Sequence, residues 1–210
     1  MVKIAFPPIW DEVALVSVYR KGDSTTGELN FATITESIEI NEGDYPGESI
    51  PNAAGGRIWH QMPQEDGEIT LELYPLEMAT NTSNAGLFQQ WHQTSGAPPA
   101  VYDTTEPLAS DTSWLAGQNR VRDSFRVSIL WTNDPAAVAT AAAATAVSTD
   151  SLRFYATDCR IVSHKTSWTD KIVKTTVTFK YPAFSKDGAT KIGVWESGDQ
   201  TALGALGAYS

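Results

Sequence analysis

The chain is 210 residues long and carries a formal net charge of -10 from 25 acids and 15 bases, a balance that argues against gripping a nucleic-acid backbone through a basic surface. Its single cysteine excludes an internal disulfide framework and a cysteine-built zinc site. With 41% hydrophobic residues and no apolar run near the roughly 18 residues of a membrane helix, neither a disordered chain nor a helical membrane protein is expected.

The opening MVKIAFPPIWDEV lacks the apolar stretch and cleavage site of a secretory signal, which predicts a protein made in a cytoplasm. The first strand pattern is VALVSVYR, from Val13 to Arg20, closed by the turn-rich KGDSTTGE. In FATITESIEI, Ile34, Ile38 and Ile40 share one side of a strand, and Thr35, Ser37 and Glu39 the other. After the Gly- and Pro-rich EGDYPGESIPNAAGG, Ile69, Leu71 and Leu73 alternate with Glu68, Thr70 and Glu72, so both segments read as half-buried strands with one wet face. Pro75 ends the second of them. In NAGLFQQWHQ, Leu87, Phe88 and Trp91 stand at helical spacing, with Gly96 and Pro98 as stop signals, which predicts a short amphipathic helix carrying His92 on its polar side.

Ala97–Asn119 reads as a long loop, and DSFRVSILW follows with Phe125, Val127, Ile129 and Trp131 on one face. The Ala-rich stretch 136–147 suits either a helix or a surface insertion. SLRFYATDCRIVSHKT reads as one long or bent strand, SWTD as a turn, and KIVKTTVTFKY as a second strand with Lys174, Thr176, Thr178 and Lys180 on its polar side. The small-residue tail, 197–210, is either without fixed structure or docked on a neighbouring surface. The fold class expected is mainly β: an antiparallel β-sandwich or barrel with one short flanking α-helix and long loops, a single domain over 1–210 with insertions near 97–119 and 134–150.

Chemistry is hard to find. There is no phosphate-binding glycine loop, no zinc-protease helix and no nucleophile elbow. His60, His92 and His164 lie far apart in sequence, and Cys159 sits inside a strand, where a small buried hydrophobe is the plain reading. No enzyme, metal or cofactor is expected. The competing view is a monomeric carbohydrate-binding or glycosidase-type β-sandwich, in which Glu39 and Glu72 flank a sugar bond and some of the seven tryptophans stack on the sugar.

The charge is uneven: residues 1–105 hold 15 acids and 4 bases, a net of -11, and residues 106–210 hold 10 acids and 11 bases, a net of +1. An acidic half suits a solvated face or a surface directed at something specific. The order of a strand, ESIEINEGD, the link PNAAGGRI, DGEITLELYP, a short helix and the late arm TDKIVKTTVTFKYPAF resembles the tail tube proteins of long-tailed phages and archaeal tailed viruses, over residues 13–185.

That resemblance implies a structural virion protein whose hexameric rings stack into the hollow tail tube through which viral DNA leaves.

 The rings are joined by strands of each subunit in one continuous barrel, and the other tail components of the same fold, terminator or distal tail proteins, are the further alternative. Implied partners are copies of the chain itself within and between rings, the tape measure, terminator and distal tail proteins, and DNA in transit without specific binding, with no membrane and no cofactor. A duplex passing through a channel must not stick, so lysine or arginine in the wall is disfavoured. The polar faces of Thr35, Ser37 and Glu39 and of Glu68, Thr70 and Glu72 are the lumen candidates, and the same faces equally suit plain solvent. Lys174 and Lys180 run against an acidic wall, so they either pair with acids of neighbouring subunits or lie away from the channel. The loops Glu42–Gly56 and Ala97–Asn119 are candidates for contacts between rings.

Overall fold

A computed structural model describes residues 13–22, 28–31, 35–73, 92–94, 114–118, 124–133, 140–146, 150–169, 172–198 and 201–210. The strands are β1 (Val13–Arg20), β2 (Glu28–Phe31), β3 (Thr35–Asn41), β4 (Gly47–Pro51), β5 (Arg57–Gln61), β6 (Gly67–Leu73), β7 (His92–Thr94), β8 (Trp114–Gln118), β9 (Phe125–Thr132), β10 (Ser151–Thr169), β11 (Ile172–Tyr181) and β12 (Gly193–Gly198). One antiparallel sheet runs β2-β1-β9-β10-β11-β6-β3, with β12 also on β10, and the pairs β4-β5 and β7-β8 stand apart from it.

The sheet curls into a half-barrel because β10 belongs to both of its halves. Residues 151–159 of β10 pair with β9, and residues 160–169 pair with β11. Between them Asp158 takes a left-handed φ of 52°, and the register with β9 slips by one residue between Ala156 and Cys159. A bulge of this kind bends a strand and raises its twist. The bend folds both halves over one core, in which Val16, Val127, Ile129 and Phe154 meet Ile69, Leu71, Val177 and Phe179. The Phe125 and Phe179 rings close the seam edge to face at 6.3 Å.

Close packing reaches the backbone at Gly67. A Cβ added there overlaps the ring of Tyr181, which is 3% exposed. Gly67→Ala should therefore cost about 1–3 kcal/mol by overpacking, read as a lowered urea midpoint at unchanged slope.

The outer face of β9 is covered as well. Arg126, Ser128, Leu130 and Thr132 are all buried, beneath the tail 201–210 and the turn 140–146. Leu130, Ala141 and Leu203 form a second small core. The tail is held by backbone bonds, Thr145 N to Leu203 O at 3.1 Å, Leu206 N to Ala142 O at 2.8 Å and Gly22 N to Tyr209 O at 2.8 Å. Two buried arginines reach its carbonyls: Arg153 donates to Gly204 O at 2.7 Å and Arg126 to Gly207 O at 2.6 Å. The small-residue tail thus docks on its own chain, where small side chains let the backbone approach the sheet.

Three further expectations meet the structure at their boundaries. The expected helix lies outside the described residues except at its end, where His92 and Gln93 belong to β7, an extended segment paired with β8. Trp114–Gln118, expected as loop, is the strand β8. The turn SWTD is shorter than expected, because Ser167, Trp168 and Thr169 continue β10 and Thr169 pairs with Ile172, leaving a two-residue connection.

Candidate functional site

The strands β10, β11, β6 and β3 form a continuous four-stranded section whose register lines up polar residues in rows. Arg160, Lys180, Glu68 and Asn41 make the first row. Ser163, Thr178, Thr70 and Glu39 make the second, and Lys165, Thr176, Glu72 and Ser37 the third. Ser167 and Lys174 stand beyond them. The opposite face of the same strands carries Ile38, Ile40, Ile69, Leu71, Val177 and Phe179 into the core, so strand alternation alone fixes which residues remain on the polar side.

Five of the six residues singled out in the sequence meet on this face: Ser37, Glu39, Glu68, Thr70 and Glu72. The register shifts between Thr35 and Ser37, so Thr35 pairs with Leu73, one step off the polar rows. Thr70 and Thr178 approach to 3.4 Å across the strands, a threonine pair of the sort that stabilises neighbouring strands.

The charges of this face differ from those of the half-chains. Glu68 stands 3.8 Å from Lys180, and Glu72 stands 3.6 Å from Lys174. Both lysines therefore find acids on their own subunit, from the strand beside them. Counting Arg160, Lys165, Lys174 and Lys180 against Glu39, Glu68 and Glu72 gives 4 - 3 = +1. The face is a balanced mosaic rather than an acidic one, because β6 and β11 come from opposite halves of the sequence.

Glu39 and Glu72, the two carboxylates of the carbohydrate reading, are diagonal neighbours on this open sheet, since Glu39 faces Thr70 and Glu72 lies two residues further along β6. Glu72 is already engaged by Lys174. Among the described residues no group of three or more His, Cys, Asp or Glu side chains gathers to hold a metal. Cys159 is fully buried, and burial pushes its thiol well above the usual range, which leaves little thiolate to react.

Among the described residues the section has no further strand on either of its sides: β3 pairs only with β6, and residues 160–169 of β10 pair only with β11. Exposed edges of this length invite pairing with another chain. At the foot of β3, Gly43 takes a φ of 85° with its backbone packed against Glu65, and the chain then leaves the sheet as the hairpin β4-β5. Asn52 caps the hairpin turn, accepting hydrogen bonds from Ala54 N at 3.1 Å and Gly56 N at 2.8 Å. All of β5 and four of the five residues of β4 are exposed, including Ile58 at 60% and Trp59 at 62%. Sequence reading saw this segment only as a punctuated loop; its strands are too short and too wet to show an alternating core face.

No family model and no curated protein matches the chain. Among solved structures, it is similar to a chain in the sheath/tube terminator of PVC, an extracellular contractile injection system, in the extended state, at 12% identity over 93% of this chain and 99% of that one, with a TM-score of 0.48. It is similar at 9% identity to a chain of the anti-feeding prophage baseplate, over 93% and 97% of the two chains, with a TM-score of 0.49. A third similarity is to Hcp1 from Flavobacterium johnsoniae, at 10% identity over 80% and 98%, with a TM-score of 0.30.

Proposed function

We propose that the chain is a tube subunit, and that β10, β11, β6 and β3 are its share of the wall of a hollow tail tube. The observation that carries this is a four-stranded antiparallel section with one largely polar, ion-paired face and, among the described residues, no further strand on either outer edge. Because the strand number is even and directions alternate, β3 of one copy laid beside β10 of the next continues the antiparallel order. Repetition of that one contact closes a ring when the rotation allows it, and closure removes both exposed edges.

A ring of six would contain about 24 strands. At a spacing of about 4.8 Å and a tilt of about 40° such a barrel measures roughly 48 Å between opposite backbones, which leaves a channel for a double helix after side chains are added. The polar rows face this lumen, and the core with the tail-covered half of the sheet lies outside. Rings stack into the tube of a virus-like particle, capped by terminator and distal tail proteins and threaded before use by the tape measure. DNA passes through without being held, and the chain performs no catalysis.

Negative-stain microscopy of the purified protein tests this. Rings or hollow tubes are expected. A species that stays monomeric at the highest attainable concentration in sedimentation, and that binds glycans, would replace this reading with the carbohydrate one.

A further inference from the structure

Among the described residues nothing covers the strands of the hairpin β4-β5. An isolated two-stranded hairpin is marginal in water, yet this one keeps Ile50 44% and Ile58 60% exposed. These two isoleucines are directly opposed across the strands, and the next pair on the same face is Glu48 with His60. One face of the arm therefore offers an apolar pair beside a carboxylate. The whole excursion, residues 42–65, carries four acids (Glu42, Asp44, Glu48, Glu65) and one base (Arg57).

A surface of matching chemistry lies at the bend of the sheet. An open concavity of about 1190 Å³ is lined by five bases against three acids. Arg20, Lys21, Arg160 and Lys186 supply much of its positive charge, and Val162 and Phe184 much of its apolar floor. Val162 is itself 53% exposed, at the point where the β10–β11 register slips.

The topology brings the two together in neighbouring copies. Asn41, the last residue of β3, lies in the same cross-strand row as Arg160, so the arm leaves the sheet at the level where the open edge of β10 begins. With β3 of one copy alongside β10 of the next, the arm emerges beside Arg160 and Val162 of that next copy, at the mouth of its concavity. We infer that the Glu48, Ile50 and Ile58 face of the arm docks into the concavity of the adjacent subunit of the same ring, a clasp that locks the strand junction. The inference rests on the wall reading above and names the partner surface for it.

Paired cysteines test it, since native Cys159 is buried and silent. The doubly substituted chain, His60→Cys with Lys186→Cys, is treated with a short bis-maleimide and run on a denaturing gel, with the untreated protein imaged in parallel. The expected result is a covalent ladder that takes up most of the monomer and stops at the ring's subunit number, while neither single variant passes the dimer. A ladder running on past that number would move the contact to between rings and overturn the inference. So would a monomer joined only to itself. Rings seen by microscopy with no ladder overturn the docking alone and leave the wall standing; absence of rings from the unsubstituted protein removes the wall and the docking with it.

Discussion

Replacing Arg153 by methionine should cost the protein about 3–5 kcal/mol, the range found when one partner of a buried ion pair is removed. Its guanidinium is among the most buried groups described, at 1% exposure. Nε donates to Glu196 at 2.7 Å, Nη1 to Ala143 O at 3.1 Å and Nη2 to Gly204 O at 2.7 Å, with a second bond from Nη2 to Glu196. One side chain thus ties together β12, the Ala-rich turn and the tail. Methionine fills much of the volume but leaves the Glu196 carboxylate and two carbonyls without their donor, and a buried acceptor left unmade costs more than the bond itself contributes. For a chain of this length the loss corresponds to a fall in melting temperature of about 6–20 °C. Lys180→Ala, by contrast, removes only an exposed pair to Glu68 and should change stability by less than about 1 kcal/mol. Thermal melts of the two variants side by side check the ranking, and equal shifts would contradict the assignment of Arg153 as the central tie.

The tail anchors further at Tyr209. Its hydroxyl donates to Asp158 at 2.7 Å and accepts from Asp158 N at 2.8 Å, at the left-handed residue of the bulge. Burial alone would raise the Asp158 carboxyl, but bonds from Tyr209 and Ser124 and the charges of Lys21 and Arg160 outweigh it and hold it below its ordinary value. The bend that unites the two halves of the sheet is therefore braced by the last residues of the chain.

None of that bracing is legible in TALGALGAYS, which has no pattern until a surface is supplied for it. What alternation reveals is the inner face of each strand: Ile69 with Leu71, Phe125 with Val127 and Ile129, and Val177 with Phe179 all point where a period of two puts them. Alternation assigns Arg126, Ser128 and Thr132 to the wet side of β9 by the same logic, and there it fails, because a second layer covers them. Composition alone could not foresee that layer, since it is built largely from a tail whose Gly207 lies 81 residues beyond Arg126. The candidate wall was legible strand by strand in Ser37, Glu39, Glu68, Thr70 and Glu72. Its charge was not, since a net of -11 in one half-chain says nothing about which lysines the register will set beside those acids.

That register makes the wall testable through its charge. Glu39→Lys with Glu72→Lys changes the polar face from four bases and three acids to six bases and one acid, so the count rises from 4 - 3 = +1 to 6 - 1 = +5 per subunit. In the native face Lys174 and Lys180 stand beside Glu72 and Glu68, and a lysine already neutralised by a neighbour has less to offer a phosphate. The double variant both adds cations and releases Lys174 from its partner. Each phosphate neutralised adds about 0.9 to the slope of log affinity against log salt, and a ring multiplies the change by its subunit number, so even partial engagement turns a non-binding channel into a retaining one. The expected result is tubes of normal appearance that hold duplex DNA at low salt and release it steeply as salt rises, with delivery by particles built from the variant reduced by orders of magnitude. Glu39 is exposed and its cross-strand neighbour within the subunit is the uncharged Thr70, and DNA retention and delivery are read on the tubes that assemble. Tubes that form, retain no DNA and deliver it as before would place these rows on the outside of the tube, and the channel would then have to be lined by another face of the sheet.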